Sequence, residues 1–347
     1  MIASQSNGIR SALRFGIVIG LFAASAAMAN AQNAPSYQGK QIRMVISSDA
    51  GGGYDVYGRA LARHIADHIP GKPDVVSENM PGASGLTATN WGANIAPKDG
   101  TVIVLSYNAL VVEPLFGNSK AKYDSREIQW VGSIGKQQQI CLTWHTSPVK
   151  TIDDAKTREV LVSATGATGN SATVPKMLNV LLGTKFKVIG GYSTSEMRLA
   201  VERGEVEGVC GLSYSTVKAS SPQWFQDNNV TILIQTGAAP QAGLEKVPVL
   251  INLVKDAEAK QALKFLGYQE EMGRPFFMPP GTPKENVAVI RRAFDETMKD
   301  PAFLADAEKV RLEVNPMSGE DMQKLVGEAY ATPPAIIKRA ADLKQGK

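Results

Sequence analysis

Met44-Val45-Ile46-Ser47-Ser48-Asp49-Ala50-Gly51-Gly52-Gly53-Tyr54-Asp55 is the stretch on which the reading turns. An apolar run enters three consecutive glycines and leaves into a helical pattern over Asp55–Ile69. Glycine admits backbone conformations closed to other residues and lets a partner approach the main chain, so such a turn exposes amide N–H groups. At a helix start those amides and the helix dipole together favour an anion. The dinucleotide fingerprint needs G-x-G-x-x-G, whereas Gly51-Gly52-Gly53 is followed by Tyr54-Asp55-Val56, so nicotinamide binding fails on spacing. A Gly-Lys-Ser/Thr phosphate loop is absent here too. Asp55 reads as the cap of the helix or as a holder of ligand-bridging water.

Outward from this stretch, apolar strand-like runs alternate with amphipathic helical ones. Strands are expected at Ile42–Ser47, Val75–Glu78, Thr101–Tyr107, Val160–Ala164, Phe186–Ile189, Val206–Cys210 and Val230–Gln235. Helices are expected at Gly85–Asn94, Ser171–Leu182, Ser195–Arg203, Pro283–Lys299, Gly319–Ala331 and Pro334–Lys344. This alternation predicts an α/β architecture with mainly parallel sheets and helical crossovers. Two blocks are visible, about 41–137 and from about 140 onward. A helical end that returns to the first block would join two lobes by two chain crossings, a hinge. The expected division is 32–138 plus 275–347 for one lobe and 139–274 for the other.

Two further turns resemble the first. Glu78-Asn79-Met80-Pro81-Gly82-Ala83-Ser84-Gly85 again links a strand to a helix, and Ser163-Ala164-Thr165-Gly166-Ala167-Thr168-Gly169-Asn170-Ser171 does so in the second block. Ligands of open α/β sheets sit beyond the carboxyl ends of strands. Turns divided between two blocks would therefore face one cleft and offer uncharged N–H and hydroxyl donors, which suits a carboxylate that must be bound and released. Ser106 and Asn108, closing the Thr101–Tyr107 strand, are expected there as well. Tyr54 and Tyr107 fit either the cleft or packing.

Composition narrows the classes. Hydrophobic residues make up 44% and charged residues 20% of the 347, which excludes a disordered or collagen-like chain. Arg10 and Arg14 are the only charges in residues 1–31, and without them the formal charge of +4 falls by two. With no block of like charges, a nucleic-acid face is not supported. Arg10 and Arg14 precede the apolar run Phe15–Ala24 and the small residues Ala27-Met28-Ala29-Asn30-Ala31, the pattern of an export signal cleaved after Ala31 or Ala29. Cys141 and Cys210 lie in strand-like apolar segments. In an exported chain, a bridge between neighbouring strands and two separate buried thiols both remain open. His64 and His68 stand four apart without a third ligand or H-E-x-x-H, so they read as surface or packing residues and no metal is expected. His145 lacks a nearby G-x-S-x-G, which leaves an exported α/β hydrolase without its nucleophile motif. Glu196 follows Ser193 at capping-box spacing. Trp91, Trp130 and Trp224 read as core or lobe-interface residues.

The chain resembles the periplasmic solute-binding receptors of tripartite tricarboxylate transporters, the TctC or Bug family. The likeness rests on Gly51–Asp55, Glu78–Gly85, Ala96-Pro97-Lys98-Asp99-Gly100-Thr101, Ser163–Ser171, Gly191–Gly208 and Pro279–Pro283. The resemblance implies a two-lobed Venus-flytrap fold, with the ligand cleft between the lobes and no enzymatic step or cofactor. It implies that one carboxylate of a small organic acid is held by Gly51, Gly52, Gly53, Tyr54 and Asp55 and by Pro81, Gly82, Ala83, Ser84 and Gly85. Ser163, Thr165, Asn170 and Ser171 would add donors from the second lobe. It also implies two integral-membrane partners, while the receptor itself is expected to be a monomer. Many members carry Pro where this chain has Ala50, and a Gly-rich segment where it reads Tyr192-Ser193-Thr194-Ser195-Glu196. Tyr192 and Ser193 are expected to face the cleft, so the second departure bears on which acid is bound: a di- or tricarboxylate, an aromatic acid or an acidic amino acid. Coupling to a sensor kinase is the alternative to transport.

Overall fold

A computed structural model describes residues 35–166 and 169–347, and the leader-like residues 1–31 lie outside them. The strands are β1 (Gln41–Ile46), β2 (Asp74–Asn79), β3 (Val102–Leu105), β4 (Gln129–Ser133), β5 (Gln139–Trp144), β6 (Val160–Ser163), β7 (Phe186–Ile189), β8 (Gly208–Ser213), β9 (Val230–Gln235), β10 (Pro275–Met278) and β11 (Met317–Ser318). The longer helices are α1 (Gly53–His64), α2 (Leu86–Asn94), α3 (Asn170–Leu182), α4 (Thr194–Glu202), α5 (Ala257–Glu271), α6 (Lys284–Thr297), α7 (Pro301–Lys309), α8 (Gly319–Tyr330) and α9 (Pro334–Gln345). One sheet has the order β11-β4-β10-β3-β1-β2 and the other β7-β6-β8-β5-β9.

The sheets are mixed, which corrects the expectation of mainly parallel pairing. β1 pairs in parallel with β2 and β3, and β6 with β7 and β8. β5 is antiparallel to β8 and β9, and β10 to β3 and β4. The chain crossings explain this. β5 and β10 each begin just after the chain has crossed between the sheets, so each runs away from the crossing while its neighbours run toward it. β11 is likewise antiparallel to β4.

Both sheets bury apolar faces under helices. Trp130 and Trp224 are enclosed, at 1% and 0% exposure, whereas Trp91 is only partly buried and stacks with Arg43. The last helix, α9, packs on α3 and α5. Its Ile336, Ala340 and Leu343 share a core cluster with Met177 and Leu178 of α3 and Phe265 and Leu266 of α5.

Candidate functional site

The strand registers set where the turns emerge. Ile46 pairs with Asn79, so the turns after β1 and β2 leave side by side, and Ser163 pairs with Ile189, which does the same for β6 and β7. Ser133 at the end of β4 pairs with Pro275, and Leu105 at the end of β3 pairs with Phe276, so these ends flank the second crossing. Ser213 pairs with Gln139 and Gln235 with Ile140, beside the first crossing. The carboxyl ends of the parallel strands of both sheets thus point to the side of the molecule where the chain crosses.

The first loop differs in detail from its sequence reading. α1 begins at Gly53 and its N-cap is Gly52, in extended conformation with φ −73°. Asp55 is not the cap. It lies in the first turn, and its Oδ2 accepts the Gly51 amide at 2.8 Å. Asn79 Nδ2 donates to Asp55 Oδ1 at 2.8 Å and Arg59 Nε to the same oxygen at 2.9 Å. Burial opposes ionisation of this carboxyl, but the Gly51 amide, Asn79 and Arg59 outweigh it and hold its pKa below the usual carboxylate range. The Gly51 amide is therefore engaged within the loop. Val56 makes the first bond back along the helix, to Gly52 O, which leaves the amides of Gly53 and Tyr54 in the unpaired first turn.

The second turn is strained. Gly82, Ala83, Ser84 and Gly85 have φ of 126°, 46°, 54° and 87°, a run in the left-handed region that includes two residues with side chains. Such conformations cost of order 1–3 kcal/mol each and persist where the surroundings enforce them, often at ligand clamps. Pro81 to Ser84 are exposed, and Gly85 is buried where a Cβ would strike the Tyr107 ring.

The remaining candidates divide into exposed and structural groups. Thr165 is exposed, and Ser171 Oγ accepts its amide at 3.1 Å. Asn170 and Tyr192 are half-buried, and Ser193 is exposed and caps α4 in a capping box with Glu196. Ser163 and Ser106 are wholly buried: Ser163 Oγ donates to Met197 O and Ser106 Oγ bonds Thr89 Oγ1 at 2.8 Å. Asn108 is 6% exposed and ties β3's end to α5 through Gln269 O at 2.8 Å. Tyr54 is buried at the crossings, where it donates to Gly273 O at 3.0 Å and accepts the Asn108 amide at 3.1 Å. Burial pushes its phenol up to about 12, so it stays neutral.

Sequence reasoning missed three residues here. Ser47 Oγ is buried at the end of β1 and, among the described residues, has no partner. Gln137 and Arg274 occupy the two crossings, and the Gln137 amide bridges the Tyr54 hydroxyl and the Arg274 guanidinium. The signal for Arg274 was a cation set directly before the apolar run Pro275-Phe276-Phe277-Met278.

Cys141 and Cys210 sit opposite one another on β5 and β8 and are joined as a disulfide. His64 Nε2 meets Asp306 at 3.0 Å and His68 Nε2 meets Asp300 at 2.9 Å. Among the described residues, no cluster of three potential metal ligands occurs. A surface depression of about 700 Å³, lined by residues such as Arg126, Arg291 and Glu320, lies between α6 and α8, away from the strand-end turns.

The model of the tripartite tricarboxylate transporter family receptor (TctC) matches residues 58–341. The protein BugT of Bordetella pertussis is 24% identical over 307 residues, covering 83% of this chain and 85% of that one. A TctC solute-binding protein from Polaromonas shares the fold at a TM-score of 0.65 with 20% identity, over 88% of this chain and 100% of that one. MatC from Rhodopseudomonas palustris, with bound malate, does so at 0.59 with 17% identity, over 88% and 99%. Among the described residues, no helix is long and apolar enough to cross a membrane. With most of its length matched and the same two-lobed α/β fold, the chain belongs to the TctC family of solute-binding receptors.

Proposed function

We propose that this chain is an exported receptor that captures a small organic carboxylate between its lobes and hands it to the two integral-membrane subunits of a secondary transporter. It acts as a monomer and without a covalent step. The strand-end turns form the site: the unpaired amides of Gly53 and Tyr54 in the Gly51–Gly53 loop, with Pro81–Ser84, hold one carboxylate, and Thr165, Asn170, Ser171, Tyr192 and Ser193 close from the other lobe. Binding favours the closed arrangement, and that arrangement is what the membrane subunits read. MatC's bound malate supports a ligand of this class.

The observation that carries the reading is the kind of glycine in the first loop. Gly51 has φ +78° and needs to be glycine for its backbone. Gly52 has an ordinary φ, and Gly53 has neither a left-handed φ nor any atom within 4 Å of where its Cβ would lie. Neither conformation nor packing requires glycine at Gly53, and glycine in a helix is less stable than alanine there. Close approach of a ligand to the main chain supplies the missing reason. Gly53→Ala is accordingly expected to stabilise the free protein by about 0.4–1 kcal/mol while weakening acid binding at least tenfold. Equal melting shifts with ligand in both proteins would remove the first loop from the site.

The test of the function is a thermal-shift screen of the mature protein against C4–C6 dicarboxylates, citrate, aromatic acids and acidic amino acids, with the matching amides as controls. An acid present at 100 times its Kd should add about 2.7 kcal/mol of stability, a rise of several degrees in Tm. A response to the amides but to none of the acids would overturn the proposal.

A further inference from the structure

Arg274 is 1% exposed and lies in the second crossing, between α5 and β10. Its guanidinium carbon sits 4.9 Å from the centroid of the Tyr54 ring and 4.5 Å from that of Tyr57, both on α1. Its terminal nitrogens are met by the Gln137 side-chain oxygen and, at 3.5 Å, by Gly273 O. Its Nε has no partner, and among the described residues no carboxylate pairs with it. A cation taken out of water without a counter-ion is costly, and stacking on two neutral phenol faces returns only part of that cost. Asp55, in the first turn of α1, is already engaged by Arg59. The molecule therefore keeps a positive charge without an ion-pair partner among the described residues beside Tyr54, the residue that follows the three glycines; Glu313 acts on the neighbouring Tyr57 ring but does not pair with the guanidinium.

We propose that Arg274 sets the charge preference of the cleft: its buried guanidinium acts through Tyr54 on whatever occupies the Gly51–Gly53 loop, favouring anions over neutral isosteres without touching them. This rests on the reading of that loop as the ligand site, and it adds what the uncharged donors lack. N–H and hydroxyl groups donate alike to a carboxylate, an amide or an alcohol oxygen, whereas a fixed field in a low-dielectric setting distinguishes them by charge. At an effective dielectric constant of about 20, a unit charge about 10 Å away changes the affinity for a monoanion roughly tenfold. Arg274 is on this account a positioning charge for the ligand and not a contact residue.

The field is measurable without knowing the ligand. Gly52 caps α1 and Gly169 caps α3, in nearly the same conformation, φ −73° and −71°. A single cysteine at either place, Gly52→Cys or Gly169→Cys, reports the local potential through the pH dependence of its alkylation by iodoacetamide, the native pair being bridged. Combining Gly52→Cys with Arg274→Met should raise the thiol pKa by about one unit. Arg274→Lys should restore it, and the Gly169→Cys reporter should move far less. An unmoved Gly52→Cys reporter in a folded Arg274→Met protein overturns the proposal. Should Arg274→Met fail to fold, the intact protein decides at 0.5 M NaCl, where surface charges are screened to about 4 Å and a buried one much less. There the thiol at position 52 is expected to titrate below the one at 169, and the reverse order sinks the idea. A screen in which no acid binds would defeat the receptor reading and leave these thiol values standing, so the two failures are distinct.

Discussion

Replacing Cys141 and Cys210 together by alanine should lower the unfolding free energy by about 4 kcal/mol, because the bridge closes a long loop and restricts the unfolded chain. The two cysteines are 69 residues apart in sequence and adjacent across β5 and β8. β5 is the strand that carries the chain into the second sheet, and β8 ends beside it at Ser213, so the bond ties the entry strand to a strand that ends at the crossings. Such a bond forms and persists in an oxidising compartment. The check is urea denaturation of the double variant beside the parent, each with and without dithiothreitol. The parent should lose its advantage when unfolded in reductant. Coincident midpoints for the parent and the variant under oxidising conditions would show that the bond contributes nothing in solution.

A second substitution is expected to act in the opposite direction. Glu270 lies at the end of α5 beside the crossings, and Thr236 Oγ1 donates to its two oxygens at 2.8 and 3.0 Å. Its backbone oxygen takes the Gln137 amide at 2.8 Å, and Lys136 is paired with the neighbouring Glu271 at 2.6 Å. Burial, helped by the Glu271 charge and only partly opposed by Thr236, pushes the Glu270 carboxyl up to about 8. The sign follows from linkage. Below the unfolded pKa near 4.5 both states hold the proton. As pH rises toward the folded value, the unfolded chain ionises freely while the folded one does not, and folding loses stability. Glu270→Gln keeps an acceptor for Thr236 and removes the ionisation. Discounting the shift for the residue's partial exposure, we expect the variant to be more stable by about 2 kcal/mol at pH 8, and by nothing at pH 4. Melting curves of the two proteins across pH 4–9 measure this. Parallel pH profiles would show that the carboxyl titrates normally.

Local pattern was readable in the sequence wherever one element settled the matter. Phe186–Ile189 and Val230–Gln235 coincide with the observed strands, and the capping box at Ser193 and Glu196 forms as its spacing predicts. Helix α5 was not read, although it carries the second crossing: its buried face includes Ala259 and Ala262, which give little hydropathic contrast. β10 was missed because four apolar residues ahead of Pro279-Pro280 make too short a run. The strand directions at the crossings were also beyond local pattern, since the sense of β5 and β10 follows from where the chain changes sheets. At the proposed site, the glycine-rich turns stand out in the sequence because their residues are contiguous. Ser106 and Ser163 belong to the same strand ends yet face inward, a difference that short strands entering a turn do not reveal. The cluster behind the first loop was illegible for another reason: Tyr54 meets Gln137 and Gly273 across separations of 83 and 219 residues.

The placement of α9 also bears on how the fold assembles. It lays Ile336, Ala340 and Leu343 against Met177 and Leu178 of α3, residues far removed in sequence. Contacts of such long range form only after the intervening chain has closed on itself, so this part of the core is slow to set.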